Sequence, residues 1–359
     1  MKALMKTEKG IGHFEVRDIP VPAIKAPDEV LIKVSAAGVC GTDVHIYHDM
    51  FQNYPPVVLG HEFSGIVEAV GKNVSNFKPG DRVVGEPHTL FCGVCTLCRA
   101  GKIQLCAQKR SPGWGIDGAF TDYLVMPDLF LHHVPDQVPD NVAALAEPMA
   151  IVTHSVLERG RVEPQDVIAV IGAGPIGLLS AVAAKAGGAS KVIVLGTDAD
   201  EERRFPAARK LGIDCIVNVM HENAPDIVNG LTKGEGADMV VEASGSEAGI
   251  NTAIDIVKRC GRLCVIGMPG RDRVSVQWLK MIKKVLDVNF NLSSSVSSWE
   301  RALSIMAHTP SDLSAIITHY ADIQDWKRVF DDIEKGNAIK AFFIPQTSPI
   351  KEMRECASV

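Results

Sequence analysis

Four cysteines fall within the stretch CGVCTLCRAGKIQLC, residues 92 to 106. Cys92, Cys95, Cys98 and Cys106 are spaced C-x2-C-x2-C-x7-C. Four thiolates at such a spacing offer tetrahedral all-sulfur coordination, which suits zinc or an iron–sulfur cluster. A thioredoxin-like dithiol needs only two cysteines, usually at the start of a helix. The x7 gap, and the lack of proline after Cys106, count against a ferredoxin-type cluster and leave zinc as the adopted reading. With four protein ligands the ion has no open position for a substrate, so this zinc is expected to be structural. A catalytic metal must then come from elsewhere. Cys40 in GVCGTDVH (38–45), His61 and Glu62 in LGHEFSG (59–65), and Glu147 in LAEPMA supply sulfur, nitrogen and oxygen donors. Mixed ligands with one position left for water or substrate suit a catalytic zinc. Alone, each has an ordinary explanation: a buried cysteine, a hydrogen-bonded histidine, a surface glutamate. Their occurrence together, beside Gly-rich turns, points to a metal.

GAGPIG, residues 172 to 177, matches G-x-G-x-x-G. It follows the apolar run DVIAVI and opens the helical stretch PIGLLSAVAAKAG, the context a dinucleotide fingerprint requires. Gly172 would permit the tight turn, Gly174 a close approach of backbone to pyrophosphate, and Gly177 close packing of helix on sheet. Pro175 and Ile176 lie between them, and the phosphates would sit at the helix N-terminus. A carboxylate roughly 20 residues further on usually holds the adenosine ribose of NAD. Here the next strand ends LGTDAD, with Gly196 closing the hydrophobic run, Thr197 and Asp198 after it, and Arg203 and Arg204 in the following helix. An inward Asp198 favours NAD. A carboxylate position occupied by Gly196 admits the 2′-phosphate of NADP, with Thr197 or an arginine as partner. NAD is expected, and NADP is the alternative.

The elements that must position these residues change character along the chain. Residues 1–150 carry short Val/Ile runs broken by Gly and Pro-Gly turns: EVLIKVSAAGVC, FSGIVEAVG and DRVVGE. This predicts a barrel-like β domain. From 151 to 290, near-continuous Val/Ile strands alternate with helices, which predicts an α/β domain with a doubly wound parallel sheet. DEERRFPAARKLG reads as a helix with Pro206 at a kink or a delayed first turn, and AGINTAIDIVKRCG as another helix. In 291–359, SWERALSIMAHT and DWKRVFDDIEKG read as helices and AIKAFFIP as a closing strand; the tail SPIKEMRECASV is expected to fray.

Together GVCGTDVH, GHEFSGIVEAVG, the four-cysteine lobe at 86–110, GAFTDYL, AEPMA and GAGPIGLL resemble the zinc-dependent medium-chain dehydrogenases over nearly the whole chain. Within that superfamily the chain is most similar to polyol (sorbitol/iditol-type) dehydrogenases, with threonine dehydrogenase-like enzymes close by. The resemblance implies a GroES-like catalytic domain built from both chain ends, an inserted Rossmann domain, and an active site in the cleft between them. It places Cys40, His61 and Glu62 as catalytic zinc ligands, with Glu147 binding directly or through water. Thr42 and His45 match a proton-relay pair of the threonine-specific relatives, whereas AEPMA matches the polyol group. The implied reaction is reversible hydride transfer between a secondary alcohol of a polyol or cyclitol and NAD(P). The alternatives are an L-threonine 3-dehydrogenase and a butanediol-type dehydrogenase. A homodimer or homotetramer is implied as well.

The 359 residues carry a formal net charge of -6 and no long basic run, so neither nucleic acid nor a membrane surface is an expected partner. No apolar leader core opens the chain and no window of eighteen uncharged apolar residues occurs, so a cytoplasmic setting is expected, with cysteines as ligands or buried hydrophobes. Lys109, Arg110 and Arg271 read as solvated loop cations.

Overall fold

The alternation of Val/Ile runs and helices folds into a six-stranded parallel sheet. In the computed structural model, which describes residues 1–356, its strand order is Cys215–Asn218, Lys191–Gly196, Val167–Ile171, Ala237–Glu242, Val257–Val265, Asp287–Phe290. Numbered along the chain this is 3-2-1-4-5-6, the doubly wound order that binds dinucleotides where the strand order reverses. Strand residues such as Ala169, Val170, Ile193, Val194, Val240 and Val241 are fully buried, because helices cover both faces. The helix Pro175–Ala186 follows the first strand directly and buries Leu178, Leu179, Val182 and Ala183. Two helices are shorter than their sequence patterns. One runs only Arg204–Lys210, with Pro206 in its first turn, where its missing N–H costs nothing. The other is Glu247–Ile256; VKRCG instead opens the strand Val257–Val265, pairing with Ala237–Glu242.

The chain divides into two units, one made of Met1–Glu147 with the chain from Ile317 onward, the other of Pro148–Ile316. The boundary between these units falls at 316/317, and the sequence pattern placed a change of character at 290/291. The helix Val296–His308 stays with the second unit because its apolar face, including Trp299, Ala302 and Leu303, is buried there. Its N-terminus is tied to Glu158, which accepts from Ser295 Oγ at 2.6 Å and Ser297 Oγ at 2.7 Å.

In the first unit, a seven-stranded sheet has the long strand Glu29–Gly38 at its centre. It pairs antiparallel with Glu62–Val70 and Tyr123–Pro127, and near its end with Lys340–Phe343. The last pairing brings the chain's end back to its beginning: Phe342 lies opposite Gly38 and Phe343 opposite Ala37. A three-stranded sheet, Phe14–Asp18, Lys2–Lys6 and Val57–Val58, completes the unit. Its core is built on residues such as Ile32, Phe63, Phe120, Met126 and Phe343.

Candidate metal and dinucleotide sites

Cys40 lies just past the central strand Glu29–Gly38 and is the N-cap of the helix Gly41–Tyr47. The Asp43 carboxylate accepts the Cys40 backbone N–H at 2.9 Å, closing the helix start. Asp43 is fully buried and its other oxygen lies 3.9 Å from His61 Nδ1. Burial raises the Asp43 pKa, partly offset by the His61 charge. His61 and Glu62 enter from the opposite strand, whose register places Glu62 across from Gly38. The turn before them needs glycine: Gly60 has φ +89, and a Cβ there would come 2.4 Å from the Phe120 ring.

Donor atoms of Cys40, His61 and Glu62 all lie within 4.8 Å of one another. His61 and Glu62 are buried, at 6% and 1% exposure. Burial by itself would lower the His61 pKa, but the hydrogen bond and charge of Cys40, with the charges of Asp43 and Glu147, raise it to about 10. Glu147 stands outside the 4.8 Å group yet is equally buried; burial raises its pKa to about 7 against the pull of the His61 charge. Two buried ionisable donors and the half-buried Cys40 converging with a fourth nearby, and His61 Nδ1 left without a hydrogen bond, fit a cation better than they fit each other. Sequence inspection missed Asp43 and also Lys340, which is buried, ion-paired to Glu62, and donates to Val39 O at 2.9 Å.

The four-cysteine lobe has almost no core. Between Leu90 and Arg110 only Gln104 and Cys106 are buried, and Leu90 and Val94 are exposed. Its four thiols nevertheless gather within 4.8 Å. Cys92 and Cys95 sulfurs lie 3.8 and 3.5 Å from that of Cys98. The edge of a tetrahedron with metal–sulfur bonds of about 2.3 Å is about 3.8 Å, so the spacing suits zinc. Backbone N–H groups of Cys95 and Val94 hold the Cys92 thiol down at about 6, while burial and the neighbouring thiols push Cys98 up to about 12. A divalent cation removes that conflict by ionising all four. Replacing Cys98 by serine should lower zinc content from two ions per chain to one and open residues 90–110 to limited proteolysis, while turnover survives. Metal analysis beside a proteolysis time course checks this; an intact zinc count would show that Cys98 is no ligand.

In the second unit the fingerprint takes the conformation its glycines suggest. Gly172 has φ +99, a Cβ on Gly177 would sit 1.8 Å from Gly172 O, and Gly174 has open space before it. A cavity of about 330 Å³ opens there, lined by Gly172, Gly174, Gly196, Thr197, Ser244 and Ser246 among others. Pro175 and Ile176 form the first turn of the adjoining helix. The ribose end differs from expectation. Asp198 does not line the cavity: it pairs with His221 at 2.8 Å and accepts from Asn218 Nδ2 at 2.8 Å, in an exposed group with Glu201. Arg203 also stands outside and faces Glu202 at 3.7 Å. Asp200 and Arg204 line the cavity instead. The 3-10 turn Asp198–Asp200 rotates the carboxylates, so the inward one is two residues later than the sequence pattern suggested.

With this geometry in place, comparison with known proteins is direct. An alcohol dehydrogenase GroES-like domain matches residues 26–136, and a zinc-binding dehydrogenase domain matches residues 175–308. The chain is 36% identical over 345 residues to a sorbitol dehydrogenase of Halalkalibacterium halodurans, covering 96% of this chain and 99% of that protein. It is 38% identical over 346 residues to the L-threonine 3-dehydrogenase of Escherichia coli K12, covering 95% and 98%. The crystal structure of 2R,3R-butanediol dehydrogenase from Bacillus subtilis superposes with a TM-score of 0.84 at 26% identity, covering 96% and 99%. The chain belongs to the zinc-dependent medium-chain dehydrogenase superfamily. Within it, this protein is an oxidoreductase that uses zinc and NAD(P) on an alcohol or diol substrate. Among the described residues no helix is long and apolar enough to cross a membrane.

Proposed function

We propose that the chain oxidises the secondary hydroxyl of a small substrate with a polar neighbour on the adjacent carbon, L-threonine foremost and a vicinal diol of the butanediol type next. Bound zinc supplies Lewis acidity toward an alcohol oxygen, and the bound dinucleotide accepts the hydride. Cys40, His61 and Glu62 would hold that zinc, with Glu147 as an exchangeable neighbour; Cys92, Cys95, Cys98 and Cys106 would hold the structural one. Thr42 Oγ1 accepts from Cys40 Sγ at 3.6 Å, so its hydroxyl stands beside the donor set. His45 follows one turn later on the same short helix. Thr42 would take the substrate proton and His45 would pass it to solvent.

The observation that carries the substrate choice is Lys109. The sequence pattern made it a solvated loop cation. It is instead half-buried, its ammonium 5.6 Å from the Trp114 ring centroid and without a carboxylate in ion-pair contact among the described residues. Burial lowers its pKa to about 8, partly offset by the charge of Glu147. Beside it the Arg110 guanidinium stacks on Tyr54 at 3.7 Å. A half-buried cation coupled to the Glu147 charge suits a substrate carboxylate better than a neutral polyol. The polyol reading that AEPMA suggested is accordingly supported less well than its alternative, and the 38% identity to L-threonine 3-dehydrogenase leans the same way. Steady-state assays with L-threonine, butane-2,3-diol, sorbitol and xylitol, each with NAD and NADP, test this. Threonine should be preferred, and Lys109→Met should raise its KM about tenfold or more. A clear preference for sorbitol or xylitol would overturn the reading.

We also propose a homo-oligomer acting in the cytosol. Asp287–Phe290 is an edge strand of the parallel sheet, and Trp278, Leu279, Ile282, Phe290 and Leu292 around it are each more than half exposed. Such an apolar sheet edge is normally covered, here by a second copy. Sedimentation showing a monomer at micromolar concentration would refute the oligomer.

A further inference from the structure

We propose that the adenosine-ribose end of the dinucleotide cavity is built for a 2′-phosphate, with Arg204 as its holder, so that the chain binds NADP(H) in preference to NAD(H). The sheet register decides where the discriminating residue sits. Leu195 pairs with Ile171, which sets Gly196 abreast of Gly172, where the phosphate turn begins. A carboxylate at that strand end would accept the ribose hydroxyls of NAD and repel a phosphate. Gly196 provides none, and the packing forbids one: even a Cβ there would lie 2.6 Å from Asp200 Oδ2 and 2.7 Å from the Phe205 ring.

Asp200 does not take over that role, because both its oxygens are engaged. Oδ2 accepts from Thr197 N at 2.8 Å and from Thr197 Oγ1 at 3.3 Å, and Oδ1 accepts from Arg204 Nη1 at 2.8 Å. It is also only 5% exposed. Its charge is compensated, and its effect is to aim Arg204 along the cavity wall. Arg204 keeps unused donors. Its side chain is 24% exposed and lines the cavity, and Nη1 is the one guanidinium nitrogen that makes a hydrogen bond among the described residues. A guanidinium fixed on one side by a carboxylate and open on the other matches the planar, multidentate recognition of phosphate. The other aspartate of the turn, Asp198, is directed to His221 and Asn218, and neither it nor Glu201 nor Glu202 lines the cavity.

Adenylate fragments test this without substrate, nicotinamide or turnover, so the outcome is independent of the proposed reaction. Calorimetric titration of the purified zinc-loaded protein with 2′,5′-ADP and with 5′-AMP should show the former binding at least about tenfold tighter. Arg204→Met should bring the ratio toward one by weakening 2′,5′-ADP. Equal affinities in the unaltered protein, or tighter AMP, would overturn the proposal, as would a folded Arg204→Met variant that keeps the full ratio. The first comparison needs no variant and stands even if Arg204→Met fails to fold.

Discussion

Cys40→Ala is expected to leave a folded chain that retains one zinc of two and loses at least about 10³-fold in kcat/KM. The size follows from the donor set. The donor atoms of Cys40, His61 and Glu62 lie within 4.8 Å of one another, and Cys40 is the sole sulfur in this group. Removing it takes away the softest ligand, and several kcal/mol of charge stabilisation on the reacting oxygen go with the ion. The fold should tolerate the change, because the Asp43 carboxylate closes the helix start through the Cys40 backbone N–H, which alanine keeps. The lobe of Cys92, Cys95, Cys98 and Cys106 shares no ligand with this group, so its ion should stay. Metal analysis paired with turnover decides the matter: two zincs with activity within tenfold of the unaltered chain would exclude Cys40 as a ligand. Loss of a zinc together with gross unfolding would show instead that this group holds the fold.

Features written in short spacings were readable in advance. The fingerprint from Gly172 to Gly177 and the four cysteines declare themselves because a turn and a metal knuckle are local structures. The doubly wound sheet was legible for a related reason, since strands buried on both faces must be near-continuously apolar. Residues whose meaning depends on rotation or on distant pairing were not. Asp198 and Asp200 look interchangeable in LGTDAD, and only the 3-10 turn sends the first toward His221 and the second into the cavity. Lys109 looks like any loop lysine until the Trp114 ring is placed against it. Asp43 reads as a helix-start acid, which it is, yet it also faces His61. Lys340 is 301 positions from the carbonyl it binds, and nothing in AIKAFFIP marks its lysine as buried.

That lysine carries the second large effect. Lys340→Met should lower the thermal midpoint of the zinc-loaded protein by about 10 °C, and a Glu62→Gln/Lys340→Met double variant should recover more than half of the loss. The side chains of Lys340 and Glu62 are 4% and 1% exposed, so neither charge has access to water. Burial would drive the ammonium to lose its proton, but the charges of Glu62, Cys40 and Glu147 outweigh burial and raise its pKa, keeping it cationic. Methionine fills similar volume and leaves Glu62 as a buried carboxylate with its cation gone, a loss of about 3–5 kcal/mol. Water cannot easily replace the ammonium. Even a Cβ on Gly38 would come 2.3 Å from Glu62 Oε2 and 3.2 Å from Lys340 Cε, so the pair occupies a space that only glycine leaves open. The double variant separates a pairing effect from a packing effect. If charge pairing dominates, neutralising Glu62 restores stability; if packing of the lysine stem dominates, it does not. A midpoint within 2 °C for Lys340→Met alone would show that the zinc group, not the lysine, neutralises Glu62. The lysine that ties the chain's end to the Val39 carbonyl would then be structurally dispensable, and Glu62 would be committed to the metal at rest.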